Sequence, residues 1–282
     1  MIAINEILKN AKQEFIASDL PPDLEAEILL AHVLNVDRSY LIAYASQILS
    51  QEESDNFESL IQNRIKGIPL AYLTGHKEFW SLDLVVTPDT LIPRPETELL
   101  IEIIFQQKVA SQTAITIADL GTGSGAIALA IADEKPTWEV FATDASEKAL
   151  QVAKLNAQRL HIANVKFYPG KWFAPFKAEA KSACFDIIVS NPPYLAKDDP
   201  HLQGEIKYEP LEALVAGTDG LQDIRLIIQQ SRHYLKTGGF LILEHGFDQA
   251  QAVQKIFIDN KFQQVETRND LAGNPRVTFG FM

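Results

Sequence analysis

The chain has 282 residues, enough for one large domain or two unequal ones, and its 46% hydrophobic content can supply a sizeable core. Its formal charge of −12 argues against nucleic acid as the main partner, because phosphate binding depends on clustered Lys and Arg. The single cysteine, Cys184, excludes a disulfide framework and a cysteine-rich metal site. The sequence lacks a signal-peptide core and any run of ~18 uninterrupted apolar residues, so we expect a cytoplasmic protein.

The first 75 residues carry a helical pattern without strand signals. Apolar residues recur at helix spacing from residue 3 to about 66, Asp37 and Ser50 are placed to begin the third and fourth helices, and Gly67 ends the last one. We therefore predict a small N-terminal helical bundle over residues 1–75. The pattern leaves two roles open for it, stabilisation of the fold and docking of a macromolecular substrate.

Residues 76–96 form a predicted connector. Residues 78–86 alternate as in a strand, and prolines punctuate the segment that follows, so we expect the connector to contain a strand or a hairpin. Arg94 and Glu96 lie where the connector meets a predicted helix over 97–109, so they are placed to line a cleft. Taken alone, an ordinary helix N-terminus carrying acidic residues explains this position better.

Residues 97–282 alternate between strand and helix patterns. Strands are predicted at 115–119, 138–143, 164–168, 184–190 and 239–244, and helices at 125–133, 146–160 and 221–235. This alternation predicts an α/β fold with a doubly wound, mostly parallel sheet covered on both faces. Two further runs, 262–268 and 276–281, are joined by a turn-rich link and indicate a C-terminal antiparallel hairpin.

A glycine-rich loop follows the first strand of this domain and precedes a helix. It reads Gly121-Thr122-Gly123-Ser124-Gly125. Glycines permit a tight turn and close approach of a ligand to the backbone, and the amides of a helix N-terminus can receive an anionic group. A nucleotide-like cofactor is therefore expected. The spacing also fits a relaxed dinucleotide fingerprint, so this motif by itself leaves NAD as an alternative.

Asp144 ends the second strand of the domain. A carboxylate at this position can accept hydrogen bonds from both hydroxyls of a ribose, which suits NAD and S-adenosylmethionine equally. An Asp that merely caps the next helix is the competing interpretation.

The tetrapeptide Asn191-Pro192-Pro193-Tyr194 follows a buried strand. Two consecutive prolines end the strand and leave carbonyl acceptors without donors. Asn191 adds a side-chain oxygen and an NH2 group, and Tyr194 adds a flat ring, so the loop suits an amino group on a planar carbonyl or ring. In isolation, a strand-ending turn with a packed Tyr explains it as well. Combined with the glycine loop, it favours methyl transfer to a planar nitrogen over NAD chemistry.

The order of these motifs resembles the class I S-adenosylmethionine-dependent methyltransferases that modify planar amino groups. Two such classes share the Asn-Pro-Pro-Tyr loop, the DNA adenine methyltransferases and the release-factor glutamine methyltransferases of the PrmC/HemK family. The similarity to the second class spans nearly the whole chain. Its longer motifs are Phe79-Trp80-Ser81-Leu82, Thr90-Leu91-Ile92-Pro93-Arg94-Pro95-Glu96-Thr97-Glu98, Val189 to Tyr194, and Glu244-His245-Gly246.

The resemblance implies N5-methylation of the glutamine in the Gly-Gly-Gln motif of class I peptide-chain release factors, without a metal. Within the family, S-adenosylmethionine is held by the glycine loop and the strand-end acid, which here are Gly121 to Gly125 and Asp144. The Asn of the Asn-Pro-Pro-Tyr loop, here Asn191, also contacts the cofactor, and a Trp, here Trp172, lies beside the adenine. The family's substrate glutamine is held by the Asn-Pro-Pro-Tyr loop, which here is Asn191, Pro192, Pro193 and Tyr194. We expect Arg94 and Glu96 to contact the substrate because of their position at the connector, and we expect Asn191, Pro192 and Tyr194 to act in catalysis. Lys171 departs from the pattern, since family members often carry Asp before the Trp.

Two other functions fit part of this pattern. A DNA adenine methyltransferase would need a basic cleft and a target-reading insertion, and the charge of −12 argues against it. A cofactor-binding regulator without activity is disfavoured by the intact Asn191 and glycines. We expect a monomer that contacts neither nucleic acid nor membrane directly. We assign structural roles to Glu244 and His245.

Overall fold

The computed structural model describes residues 2–18, 20–107, 112–178 and 182–282, which form two compact units. The smaller unit comprises Met1–Gly75 and Gly204–Tyr208, and the larger comprises His76–Gln203 and Glu209–Met282. Across these ranges, no helix is both long and apolar enough to cross a membrane.

The smaller unit is the predicted helical bundle. Its apolar faces meet in one core that includes Phe15, Leu29, Phe57 and Ile61. Ser50 begins a helix as predicted, because its side chain accepts from the backbone of Glu53 while the Glu53 carboxylate accepts from the backbone of Ser50. The helices are α1 (Ile4–Ala17), α2 (Pro22–Leu34), α3 (Arg38–Ala43), α4 (Gln51–Ile65) and α5 (Leu70–Thr74).

A short segment from late in the chain, Gly204–Tyr208, completes the smaller unit. The guanidinium of Arg64 is buried and donates to Glu25 at 2.6 and 3.1 Å and to Glu205 at 2.6 Å. The Tyr208 hydroxyl donates to the carbonyl of Lys66 at 2.9 Å. Buried charges require such pairing, so Arg64 ties this distant segment to α4.

The connector, for which a strand or hairpin is predicted, forms a hairpin in the structure. Strands β1 (His76–Phe79) and β2 (Leu82–Val85) pair antiparallel around Trp80 and Ser81, whose φ angles are +51° and +62°. Positive φ at both turn residues matches the twist of a two-residue hairpin. The turn is held by contacts invisible in local sequence, since the Trp80 amide donates to Glu98 and its indole to Glu134.

The larger unit contains the predicted doubly wound sheet. Its strands are β3 (Thr116–Leu120), β4 (Glu139–Asp144), β5 (Val165–Pro169), β6 (Phe185–Ser190), β7 (Leu235–Glu244), β8 (Gln263–Asn269) and β9 (Pro275–Phe281). The order is β5-β4-β3-β6-β7-β9-β8, with the first five parallel and with β7–β9 and β9–β8 antiparallel. The predicted fold class and C-terminal hairpin are thus confirmed.

Helices cover both faces of this sheet. Alternate residues of β3 and β6 enter different cores, since Ile117 and Val189 belong to one buried cluster and Ala118 and Ile188 to the other. The helices are α6 (Glu98–Gln106), α7 (Ala126–Glu134), α8 (Glu147–Arg159), α9 (Ala174–Ala178), α10 (Gln222–Ser231) and α11 (Ala250–Asp259). Residues 108 and 109 of the helix predicted over 97–109 lie outside the described residues.

The helix predicted over 221–235 is too long. It ends at Ser231, and Leu235 already pairs with Phe185 as the first residue of β7. The Tyr234 carbonyl accepts from the amides of Cys184 and Phe185. Tyr234 and Leu235 continue the apolar spacing of the helix, but pairing with the neighbouring strand decides their conformation.

Sheet topology brings the glycine loop and the Asn-Pro-Pro-Tyr loop to the same place. Strands β3 and β6 are adjacent and parallel, with Asp119 opposite Val189. Strand order reverses here, because β3 leads to β4 on one side while β6 leads to β7 on the other. Ligands of open α/β sheets bind beyond the carboxyl ends of strands at such a switch point. The glycine loop and Asn191 therefore leave the sheet at the same edge.

We predict that Asn156 fastens the β1–β2 hairpin to this edge. Asn156 is fully buried on α8, accepts from the Val85 amide at 2.8 Å, and donates to the carbonyls of Val85 and Ser124, each at 2.9 Å. Asn156→Ala should lower the free energy of unfolding by about 3 kcal/mol, since each buried polar group left unpaired costs about 1–3 kcal/mol. Urea unfolding measures this loss.

The exposed Asn269 provides a matched control. Asn269→Ala should change stability by no more than about 0.5 kcal/mol. Equal stability of the two variants would contradict the role of Asn156.

Candidate functional site

A cleft of about 700 Å³ opens at the edge where β3 and β6 end. Its size lies in the usual range for a small-molecule site. Of the residues predicted from sequence, six line it, namely Gly121, Gly123, Asp144, Trp172, Asn191 and Pro193. The connector and the loop after Asn191 also contribute, through Pro88, Asp89, Thr90, Leu91, Pro210, Glu212 and Ala213.

The glycine loop requires glycine at its turning points. Gly121, Gly123 and Gly125 have φ angles of +74°, +58° and +88°. A Cβ on Gly121 would lie 3.0 Å from Cζ3 of Trp172, so the absence of a side chain lets the indole approach the loop. Gly125 is the N-cap of α7. The loop is therefore shaped jointly by backbone conformation and by contact with Trp172.

The other two predicted loop residues, Thr122 and Ser124, are buried and are not among the described residues that line the cleft. The Thr122 hydroxyl donates to Asp119 at 2.6 Å. Desolvation raises the pKa of the fully buried Asp119 to about 7, and the charge of Asp144 adds to this shift. Thr122 thus stabilises the loop through its hydrogen bond to Asp119, and its hydroxyl does not face the cleft.

Asp144 connects the glycine loop with the start of α8. One carboxylate oxygen accepts from the Gly123 amide and the other from the Ser146 amide, both at 2.8 Å. The helix cap is Ser146 itself, whose hydroxyl accepts from the Ala149 amide. Each oxygen of Asp144 keeps a further lone pair, so the residue can still accept hydroxyl groups from a ligand. Burial raises the pKa of this carboxyl.

Trp172 is held by an acid that sequence reasoning missed. The Trp172 indole donates to Asp223 at 3.1 Å, and the Lys171 ammonium lies 2.9 Å from the same oxygen. Asp223 is buried and lines the cleft. A carboxylate beside the Trp172 ring is therefore supplied from α10. An Asp in the first turn of a helix resembles an ordinary dipole partner, so the sequence contained no distinguishing signal.

The Asn-Pro-Pro-Tyr loop is anchored at both ends. The Asn191 amide nitrogen donates to the Thr97 hydroxyl at 3.2 Å, and the Tyr194 hydroxyl donates to Glu244 at 3.2 Å. The Tyr194 carbonyl accepts from Gln249 at 2.9 Å. The same carbonyl oxygen lies against Gly220, where an added Cβ would be only 2.2 Å from it, so position 220 has no room for a side chain. Pro192 and Tyr194 are not among the described lining residues of the cleft, whereas Asn191 and Pro193 are.

Glu244 and His245 are buried at the end of β7. Desolvation raises the pKa of Glu244 to about 7, against the opposing effects of the Thr97 hydrogen bond and the Arg276 charge. His245 is bonded through one ring nitrogen to the Gly246 carbonyl and through the other to the Thr278 hydroxyl, each at 2.8 Å. Desolvation lowers the pKa of His245, which suits a neutral ring within the fold.

Arg94 and Glu96 are not among the described residues that line the cleft. The Arg94 guanidinium donates to Glu209, a buried carboxylate whose other oxygen accepts from the Ile92 amide at 2.9 Å. Glu96 is exposed in a 3-10 turn. The Arg94–Glu209 pair joins the connector to the loop that supplies Pro210 and Glu212 to the cleft wall.

Comparison with known families and proteins gives a consistent result. The family described as PrmC N-terminal domain matches residues 6–75, and the family described as methyltransferase domain matches residues 111–273. The release factor glutamine methyltransferase of Aliivibrio fischeri is 46% identical over 281 residues, which cover 99% of this chain and 97% of that protein. Those of Coxiella burnetii and Escherichia coli K12 are 45% and 44% identical, with coverage of 96–98% of each chain.

Solved structures with much lower identity share the fold. A methyltransferase from Pyrococcus furiosus has a TM-score of 0.52 at 18% identity, covering 80% of this chain and 98% of its own. The hMettl16 catalytic domain, solved in complex with MAT2A 3'UTR hairpin 6, has a TM-score of 0.56 at 13% identity, covering 82% of each chain. These likenesses concern the arrangement of the sheet and its helices.

We predict that Asp144 contributes directly to binding of S-adenosylmethionine. Hydrogen bonds to a charged carboxylate contribute roughly 1.5–3 kcal/mol each, and ~1.4 kcal/mol corresponds to a factor of ten in affinity. Asp144→Ala should therefore weaken binding at least about tenfold, as measured by calorimetry. Asp133→Ala, an exposed substitution on α7, is the control that should bind normally. Unchanged affinity in a folded Asp144→Ala protein would remove Asp144 from the site.

Proposed function

Because the chain belongs to the family of release factor glutamine methyltransferases, we propose that it methylates N5 of a glutamine side chain in peptide-chain release factors. The target is the glutamine of the Gly-Gly-Gln motif of class I release factors, and the methyl donor is S-adenosylmethionine. The observation that carries the proposal is the shared cleft, which is lined by Gly121, Gly123 and Asp144 and also by Asn191 and Pro193.

The residues at the cleft fit S-adenosylmethionine. Gly121 and Gly123 present bare backbone, Asp144 presents a carboxylate suited to ribose hydroxyls, and Trp172 presents a ring that suits adenine. We also place Thr122, Ser124, Gly125 and Asn191 in the cofactor site, the first three through the shape they give to the loop. When bound, the cofactor supplies a methyl group carried on a sulfonium sulfur.

Asn191 and Pro192 would orient the substrate amide. A carboxamide nitrogen is a poor nucleophile because its lone pair is delocalised, so fixed orientation and stabilisation of the positive charge that develops on nitrogen must lower the barrier. The Asn191 side-chain oxygen and the Pro192 carbonyl can each accept one amide N–H. Pro193 and the Tyr194 ring would enclose the planar group. This assignment needs neither a metal nor a covalent nucleophile.

Selection of the correct glutamine requires contacts outside the cleft. A specific protein contact usually buries more than ~1,000 Å², which a cleft of this size does not provide. We propose that the helical residues 1–75 dock the body of the release factor, with the connector 76–96 and the methyltransferase domain 97–282 completing the enzyme. Arg94 and Glu96, which lie outside the cleft lining, are candidate contacts to the body of the release factor. We further propose a monomer acting in the cytoplasm without direct contact to nucleic acid.

Asn191 should affect turnover rather than cofactor affinity. Asn191→Ala removes one group at the edge of the cofactor site but leaves Gly123 and Asp144 in place, so the affinity for S-adenosylmethionine should change much less than the rate. By analogy with loss of one preorganised charge-stabilising group, the rate should fall on the order of 10²–10³-fold. Steady-state kinetics and calorimetry separate these quantities, and Asn269→Ala is the control with normal kinetics. A rate near that of the unmodified protein would exclude Asn191 as the orienting group.

The function is tested by mass spectrometry of purified release factor after incubation with the protein and S-adenosylmethionine. We expect a single added methyl group on the Gly-Gly-Gln glutamine. Intact release factor should be methylated far more efficiently than a short Gly-Gly-Gln peptide or adenine-containing DNA. Equal rates on peptide and protein would contradict the docking role, and preferential methylation of DNA would overturn the proposed function.

A further inference from the structure

Two buried side chains behind the cleft connect Asn191 to Tyr194. Thr97 and Glu244 are only 3% and 1% exposed, and neither is among the described residues that line the cleft. Asn191 donates to the Thr97 hydroxyl at 3.2 Å, Thr97 donates to one oxygen of Glu244 at 2.7 Å, and Tyr194 donates to the other oxygen at 3.2 Å. One carboxylate thus fastens both ends of the Asn-Pro-Pro-Tyr loop.

The chemistry of these groups gives the chain of hydrogen bonds a direction. An ionised carboxylate only accepts, and a hydroxyl has a single proton to donate. Thr97 gives its proton to Glu244, so its oxygen can only accept from Asn191. The group that Asn191 turns toward Thr97 must therefore be its NH2. This leaves Asn191 Oδ1 as the acceptor for another ligand.

We propose that Thr97 and Glu244 are positioning residues that fix the orientation of the Asn191 amide, so that its oxygen is available to the substrate nitrogen. The inference rests on the proposed function and assigns a task to two residues that do not touch the substrate. A rotated Asn191 amide would present NH2 to the substrate N–H. Two donors would then oppose each other where catalysis needs an acceptor.

Thr97 offers the sharper test, because Val has nearly the same shape but no hydroxyl. Thr97→Val should lower kcat for methylation of release factor at least about tenfold, comparable to the loss of a hydrogen bond to a charged group. The Kd for S-adenosylmethionine should stay within about twofold. Thr97→Ser retains the hydroxyl and should restore most of the rate. Assays are run above the Glu244 pKa of about 7, where this carboxylate is ionised.

Two further variants make the result decisive. Thr116→Val, at the far end of β3 from the glycine loop, is the matched control and should be fully active. The side chain of Glu244→Gln can donate as well as accept, so the hydrogen bond from Thr97 no longer has a fixed direction. Because both variants disturb the same chain of hydrogen bonds, the loss of kcat in the double variant should be smaller than the two single losses combined. A Thr97→Val protein with wild-type kcat, or a Thr97→Ser protein as impaired as Thr97→Val, would overturn the inference.

Nuclear magnetic resonance of the Asn191 side-chain NH2 separates this inference from the proposed function. The signal is identified by its loss in Asn191→Asp. We expect one slowly exchanging NH2 proton in the wild type and Thr97→Ser, and faster exchange in Thr97→Val. This measurement needs no substrate. Failure of the wild type to methylate release factor would count against the proposed function, whereas unaltered Asn191 exchange in Thr97→Val would count against the positioning role.

Discussion

The parallel pairing of β3 with β6 is the constraint on which the site depends. Because Asp119 lies opposite Val189, the two strands finish at the same level, and the loops that leave them meet at one edge of the sheet. One loop supplies glycine backbone and the other supplies carbonyl acceptors. Neighbouring β4 brings Asp144 to the same edge, where its carboxylate accepts from the Gly123 amide. The glycine loop, Asp144 and Asn191 thereby line one cleft.

Buried carboxylates secure each wall of that cleft. Asp119 braces the glycine loop through Thr122, Asp223 holds the Trp172 indole, Glu209 binds the Ile92 amide, and Glu244 fastens the Asn-Pro-Pro-Tyr loop. Burying an ionisable group without partners is costly, so each carboxylate holds its neighbours in a restricted geometry. Part of the acidic composition of the chain therefore lies in the interior of the fold, where these four carboxylates are buried.

Lys171 illustrates how one position can change while the local environment is kept. The family pattern has an acid immediately before the Trp, whereas this chain has the base Lys171 there. In the structure this base pairs with Asp223, which also accepts from the indole, so a carboxylate remains beside the ring. The ion pair is partly exposed at Lys171 and contributes little by itself. The position of the Trp172 ring depends more on Asp223 and on the bare backbone of Gly121.

The sequence by itself determined the fold class, the helical N-terminal segment, and the positions of the glycine loop, Asp144 and the Asn-Pro-Pro-Tyr loop. Each of these depends on local periodicity or on residues adjacent in the chain. It also determined the family, through motifs long enough to be specific. Only the tertiary structure decided which residues surround the cleft. Asp223 and Glu209 lie far in sequence from the groups they bind, and Thr97 meets Glu244 across 147 positions. Hydrogen bonds of this kind leave no periodic trace in a sequence, because they depend on where strands and helices are brought together in space.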